Sequence, residues 1–283
     1  MGHCTVAEAE EILDKPFPVL DKGFVRLVDY LGSDERIVQA ARVSYGKGTK
    51  TYREDRALIN YLLRNEHTSP FEQVVLTFHV KMPIFVARQW IRHRTARVNE
   101  ISGRYSVLSN EFYLPDLDDI AYQSETKKQA RSDTPVPEDL KQHSRELFQK
   151  DQNQVYASYQ ELVDHNIARE LARINLPLST YTEMYWQIDL HNLFHFIKLR
   201  AHPHAQKEIR EYATILLTIT KKVAPAACEA FENHTLGGIS LSSREREAVQ
   251  ALYEGKPLPL TGKAKERFLE KLYPPTSNQS ASR

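Results

Sequence analysis

Two segments of this chain, residues 72–80 and 180–188, are dense in the β-branched and aromatic residues that pack well on a pleated surface, and each runs straight into a helical pattern. After the first, Pro83 suits the opening turn of a helix from 84 to about 93, because its φ is pre-set and it has no N–H to satisfy. After the second, Asp189 suits the N-cap of a helix running through Arg200. Strands that deliver the chain directly into helices lay those helices on a sheet. The pattern therefore predicts a mixed α/β or α+β domain, without giving its strand order.

The flanking segments extend this reading. Residues 24–31 alternate like a strand, Ser33 caps a helix beginning at Asp34, and another helix covers 53–65. Residues 117–137 mix charges, Ser and Pro without an apolar period and read as a surface loop. A long helical region follows from 138 to 174, closed by Pro177. Pro203 opens a further helix, with Ile209, Tyr212, Ala213 and Leu216 at core spacing, that ends near Phe231. Gly237-Gly238 marks a break, Ser242 with Glu245 forms a capping box for a helix ended by Gly255, and Thr261 caps another. From Pro274 the chain is a polar tail expected to be disordered. The expected organisation is an N-terminal arm (1–23), a main domain (24–235) and a helical C-terminal extension with its tail (236–283).

Composition excludes several classes. The 38 basic and 37 acidic residues leave a formal charge of +1, so there is no general field for nucleic acid and only a local basic patch could bind it. No apolar run is long enough to span a membrane, and residues 1–15 carry acids in place of a secretory apolar core. Val6 argues against myristoylation of the Met1-Gly2 start. The expectation is a cytoplasmic protein with neither membrane nor nucleic-acid partner. Cys4 and Cys228 stand alone and make no disulfide framework. Cys228 reads as a small hydrophobe buried on a helix, Cys4 as part of a mobile end.

The chemistry concentrates in Arg92-His93-Arg94, followed after seven residues by Ser102-Gly103-Arg104-Tyr105-Ser106. Arg92, Arg94 and Arg104 could clamp a phosphate with planar, charge-assisted forks, or form a solvated basic surface with incidental ion pairs. Glu100 and Ser102 could read a ribose or a base edge, or Glu100 could simply pair with Arg97 or Arg104. No GxSxG elbow surrounds Ser102, which favours positioning over attack. His191 and His195 stand four apart, as metal ligands do, but without an HExxH pattern or a third ligand nearby. The first turn after Asp189 could instead attract phosphate oxygens. Arg173 and Arg200 end apolar segments and each needs an anionic partner, either a ligand or a residue such as Asp189 or Glu183.

These residues resemble the flavin-dependent thymidylate synthase family. The spaced string matches its signature, as do the flanks, Phe85-Val86-Ala87-Arg88-Gln89-Trp90 before it and Asn99-Glu100-Ile101-Ser102-Gly103-Arg104-Tyr105-Ser106 across its end. His67-Thr68-Ser69-Pro70-Phe71-Glu72, Ala172-Arg173 before Leu176-Pro177, and Leu199-Arg200-Ala201 with His204-Ala205-Gln206 also agree, so the likeness spans roughly Phe24 to Phe231 and leaves out the stretch after Gly237.

The resemblance implies an α/β (α+β) core with a mostly antiparallel central sheet flanked by helices. It also implies a homotetramer whose sites draw on several chains. The implied reaction converts dUMP to dTMP with FAD as cofactor and 5,10-methylenetetrahydrofolate and NADPH as co-substrates, without a cysteine nucleophile. Carried over by position, Gln89, Trp90, Ile91, Arg92, Glu100, Ile101, Ser102, Gly103, Arg104, Arg173 and Arg200 would contact dUMP, with Arg200 as the catalytic residue stabilising the ionised pyrimidine. Ser69, Arg92, His93, Arg94, Glu100, Asp189, Leu190, His191 and His195 would face FAD, and His67 would lie near the flavin or folate. The family often has Asn near Asp189, and Arg and Asn near His191 and His195, so this chain substitutes acid and imidazole in the flavin-binding set.

Overall fold

The computed structural model describes residues 5–44, 52–125 and 130–273. Cys4 and the tail from Pro274 lie outside these residues. In chain order the elements are α1 (Ala7–Glu10), β1 (Pro16–Val19), β2 (Gly23–Leu31), α2 (Asp34–Ala41), α3 (Tyr52–Arg64), β3 (Val75–Pro83), α4 (Ile84–Trp90) and β4 (Arg97–Glu100). They continue with α5 (Glu138–Asp164), α6 (Arg169–Ala172), β5 (Tyr181–Asp189), α7 (Leu190–Arg200), α8 (Lys207–Val223), α9 (Pro225–Phe231), α10 (Ser243–Tyr253) and α11 (Gly262–Leu272). The chain divides into two compact units, Met1–Phe231 and Glu232–Arg283.

In the first unit the five strands form one sheet of order β1-β2-β3-β5-β4, and every neighbouring pair is antiparallel. Alternation sorts the strands into two faces. Val25, Leu27, Leu76, Phe78, Val80, Met184, Trp186 and Ile188 are buried in a core shared with Leu193, Phe196 and Ile197 of α7 and Ile209, Tyr212 and Leu216 of α8. The other face carries the cross-strand row Arg26, His79 and Tyr185. Trp90, fully buried at the end of α4, packs against Trp186, Phe196 and Tyr212, with ring centroids 5.1, 4.6 and 5.9 Å away. One side chain thus locks α4 to β5, α7 and α8, and truncating such a residue costs roughly 3–5 kcal/mol.

Several expectations need correction. The first strand-to-helix segment starts at Val75, because Phe71–Gln73 turns as a short 3-10 helix that buries Phe71. Pro83 is the last strand residue and the N-cap of α4, one place before the first turn, and the helix stops at Trp90, short of His93. The long helix from 138 ends at Asp164, where Asn166 takes a left-handed φ of 56°, before the short α6. The helix assigned from Pro203 starts at Lys207 and is interrupted at Ala224, ahead of Pro225. Asp189, by contrast, caps α7 as expected, its side chain accepting from the Asn192 N–H. Cys228 is buried in α9.

The second unit is a helical pair. Ser242 and Glu245 form the reciprocal capping box of α10, and Gly255 follows that helix at φ 66°, a conformation that favours glycine. Ala248, Leu260 and Phe268 make a small core with Leu241, Leu258, Leu269 and Leu272 around it. Lys271 of α11 donates to Glu245 at 2.7 Å. Among the described residues no helix is long and apolar enough to cross a membrane.

Candidate active site

The chain leaves α4 in a tight turn, the His93 N–H donating to the Trp90 carbonyl at 3.0 Å, and then runs beside α7. At one end of that helix Arg200 donates from Nε to His93 Nε2 at 3.0 Å and from Nη2 to the Gln89 carbonyl at 3.1 Å. Further along, Thr95 Oγ1 donates to Asn192 Oδ1 at 2.8 Å. The Arg92–Thr95 segment therefore follows α7 from its C-terminal to its N-terminal turn.

These bonds define the chemistry of Arg200. A guanidinium has five N–H donors and accepts nothing, so two are committed and three remain for a ligand. Neither carboxylate proposed as its internal partner is available: Asp189 accepts from the Asn192 N–H and amide, and Glu183 bonds His79 at 2.9 Å. Burial pulls the Arg200 guanidinium below its ordinary value. His93 must be neutral to accept from Arg200. Burial, then the charge of Arg200, then His195, depress its pKa from 6.5 to about 4.

A second group of residues forms around β4. Its Glu100 pairs in register with Met184 at the sheet edge, and Glu100 Oε1 accepts from Thr182 Oγ1 at 2.6 Å instead of pairing with Arg97 or Arg104. Beyond it, the Ser102 carbonyl accepts from the Tyr105 and Ser106 N–H groups, and Ser102 Oγ accepts from the Arg104 N–H at 3.3 Å, closing a turn. Gly103 permits a close approach here, since a Cβ would lie 3.0 Å from Leu108 Cδ1 and 3.2 Å from Arg173 Cδ. Arg173 thus packs on the turn, and among the described residues it has no ion pair. Arg104 pairs at 3.1 Å with Glu170, both exposed.

The structure therefore gathers the expected residues into two groups. Gln89, His93 and Arg200 form one, and Glu100, Ser102, Gly103, Arg104 and Arg173 the other. Among the described residues no hydrogen bond or ion pair joins them. Ile91, Arg92 and Arg94 are exposed beside the first, and Ile101 is exposed within the second. Trp90 requires correction, because its fully buried ring belongs to the core and only its backbone could meet a ligand. His67 and Ser69 are exposed on the loop before the 3-10 turn, which packs on α7 through Phe71 and Phe194. Leu190 is wholly buried and donates its N–H to Val74 at 2.8 Å.

His195 is exposed, with its ring 5.8 Å from that of His93, and His191 is partly buried. No group of three or more His, Cys, Asp or Glu able to hold a metal ion occurs among the described residues. Asn192 and Thr182 were missed as partners of the expected residues. Both lie in segments already read as helix and strand, but their partners are remote in sequence and no local signal exposes them.

The profile of the thymidylate synthase complementing protein family matches residues 26–226, and that of the thymidylate synthase ThyX C-terminal domain matches 239–273. The likeness thus resumes in the extension that the sequence reading left out. A flavin-dependent thymidylate synthase of Treponema denticola is 65% identical over 260 residues, covering 92% of this chain and 98% of its own. That of Treponema pallidum is 60% identical over 272 residues, covering 96% and 89%. Among solved structures, the UMP/dUMP methylase PolB from Streptomyces cacaoi bound with 5-Br dUMP is 34% identical with a TM-score of 0.70, covering 77% of this chain and 98% of its own.

Proposed function

Because the chain belongs to the flavin-dependent thymidylate synthase family, we propose that it converts dUMP to dTMP with FAD as bound cofactor, 5,10-methylenetetrahydrofolate as one-carbon donor and NADPH as reductant. The observation that carries this reading is Arg200: a partly buried guanidinium, oriented by His93 and Gln89, with three donors left over and no carboxylate partner among the described residues. Such a group is suited to an anion that forms only when a pyrimidine loses its N3 proton. Donors fixed in advance stabilise that charge without reorganising.

The residues around the first group fit a flavin in part. Arg92 and Arg94 have no ion pair among the described residues and offer charge to a pyrophosphate, while neutral His93 and exposed His195 offer imidazole edges. Asp189 fits less well, because its carboxylate already caps α7 and would repel a phosphate there. We assign Ser69, Arg92, His93, Arg94, Glu100, Asp189, Leu190, His191 and His195 to this side, with His67 nearby. When bound, the flavin supplies hydride chemistry that side chains lack. Cys228 lies in the core of α9, which supports a reaction without a cysteine nucleophile.

In the second group, Arg173 and Arg104 supply guanidiniums, and the Ser102–Gly103 turn supplies a close backbone approach, to hold the nucleotide phosphate. Ser102 Oγ is engaged with its own turn and orients it. Two unjoined groups on one chain support sites shared between copies in a homotetramer. So do the apolar residues exposed around the second group: Tyr105 at 77%, Ile174 at 68%, Leu178 at 57% and Leu171 at 56%. A cytoplasmic setting accords with the two isolated cysteines. We assign the domains as 1–23, 24–235 and 236–283, the middle one catalytic.

The test is dTMP formation by purified protein with and without FAD. The expected result is a yellow protein whose flavin, once reduced by NADPH, is reoxidised as dTMP forms from dUMP and methylenetetrahydrofolate. Inactivity when replete with FAD and every substrate would contradict the reading.

A further inference from the structure

Thr182 stands in β5 among residues unlike it. It shares a sheet face with Met184, Trp186 and Ile188, lies opposite Met82 of β3, and is 5% exposed. At such a position valine has the same shape and no polar group to bury, whereas a buried hydroxyl needs a partner. Among the described residues Thr182 Oγ1 has one: it donates to Glu100 Oε1 at 2.6 Å, within the range of a charge-assisted O–H···O⁻ bond.

The sheet register brings the two side chains together. Glu100 pairs with Met184 at the end of β4, so Thr182, two residues along β5, is its diagonal neighbour on the same face and within reach of a long side chain. Glu100 itself is exposed, and among the described residues it makes no ion pair and its Oε2 no hydrogen bond. One carboxylate oxygen is thus held from the core, and the other is open to a ligand. A carboxylate only accepts, so the ligand group it meets must be a donor, a sugar hydroxyl or a ring N–H. An exposed glutamate without such a tether samples several rotamers, and fixing it on binding costs affinity.

We propose that Thr182 is a positioning residue for the nucleotide: from inside the sheet its hydroxyl fixes the rotamer of Glu100, so that Oε2 meets dUMP already oriented. The proposal rests on the reading of Glu100 as a dUMP contact. Because Thr182 is buried, every effect of removing its hydroxyl should pass through Glu100.

The test is a double-mutant cycle read by calorimetry of dUMP binding to the FAD-loaded protein, with steady-state kinetics alongside. Thr182→Val keeps the shape but removes the donor, and should weaken dUMP binding about fivefold, the cost of ordering one free side chain. Thr182→Ser keeps the hydroxyl and should stay within about twofold of the native protein. Glu100→Ala should weaken binding about tenfold, and adding Thr182→Val to it should cost nothing more. The Thr182→Val loss should fall on the dUMP KM rather than on kcat, with FAD affinity unchanged. If Thr182→Val folds poorly, Thr182→Ala against Thr182→Ser isolates the hydroxyl at equal loss of the methyl, and the Ala variant should bind dUMP about fivefold more weakly than the Ser variant. Native-like binding by Thr182→Val, an equal loss in Thr182→Ser, or a further loss on top of Glu100→Ala would overturn the proposal, because each is what a threonine that only packs would give. Glu100→Ala that binds dUMP like the native protein would instead overturn the nucleotide reading of Glu100 itself.

Discussion

The two groups of the candidate site carry the same kinds of side chain but are held in different ways. Arg200 sits on a helix end, partly buried, with two donors spent on His93 and Gln89, and beneath it the Trp90 ring packs four elements together. Arg104 and Arg173 lie off the sheet, one on the turn after the edge strand β4 in an exposed pair with Glu170 and the other on a short 3-10 turn packed against Gly103. The first group is oriented before any ligand arrives, as a group that stabilises developing charge must be. The second is open, flanked by exposed apolar residues, and suits a surface completed by ligand and neighbouring chain.

Replacing Arg200 by Ala should have the largest effect of the substitutions in this comparison, lowering kcat by roughly 10²–10³-fold, as loss of a pre-oriented charge-stabilising donor does. FAD should remain bound, which flavin absorbance after gel filtration checks. A variant that loses its flavin and its activity together would dissolve the distinction between the two groups.

The pH response is the next largest effect and belongs to the first group alone. His93 titrates at about 4 in the folded chain against 6.5 ordinarily, so between these values the unfolded state binds more protons. The stability contributed by neutral His93 is complete above 6.5 and is lost as pH falls toward 4. Protonation also removes the acceptor for Arg200 Nε. In the folded protein that protonation comes only as pH approaches 4, so dUMP affinity should hold through pH 6 and fall near 4 in the native protein, and stay flat in His93→Gln, whose amide oxygen can accept without titrating. Glu170→Ala should give the smallest effect. It frees Arg104 from an exposed pair of the kind that contributes about 0–1 kcal/mol, so dUMP KM should move by less than about fivefold.

What the sequence revealed follows the same division between local and remote determinants. Strands β2, β3 and β5, helix α7 and its Asp189 cap were readable because period and cap act over a few residues. Strand β4 was not, because all four of its residues are exposed at the sheet edge and show no apolar alternation. Strand β1 was hidden by Pro16 and Pro18, which are tolerated at the opposite edge. The break after α5 rests on Asn166 in a left-handed conformation, a weaker cue than glycine. In the site, the arginines and Ser102 stood out by their own chemistry and clustering, while the division of their roles between nucleotide and flavin came from the family resemblance. The bond from Arg200 to His93 joins residues 107 apart, and that from Thr182 to Glu100 residues 82 apart. No local pattern encodes such pairings, and they decide that His93 accepts and that Glu100 is not a partner for Arg104.

The most direct measurement mixes two variants, Arg200→Ala and Arg173→Ala, each expected to be inactive by itself. After the purified chains are dissociated and reassembled together, sites that draw the two groups from different copies should recover activity, about a quarter of the native level for random assortment of two contributing chains. Reassembled mixtures as inactive as either variant alone would contradict the account, because both groups would then have to come from one chain.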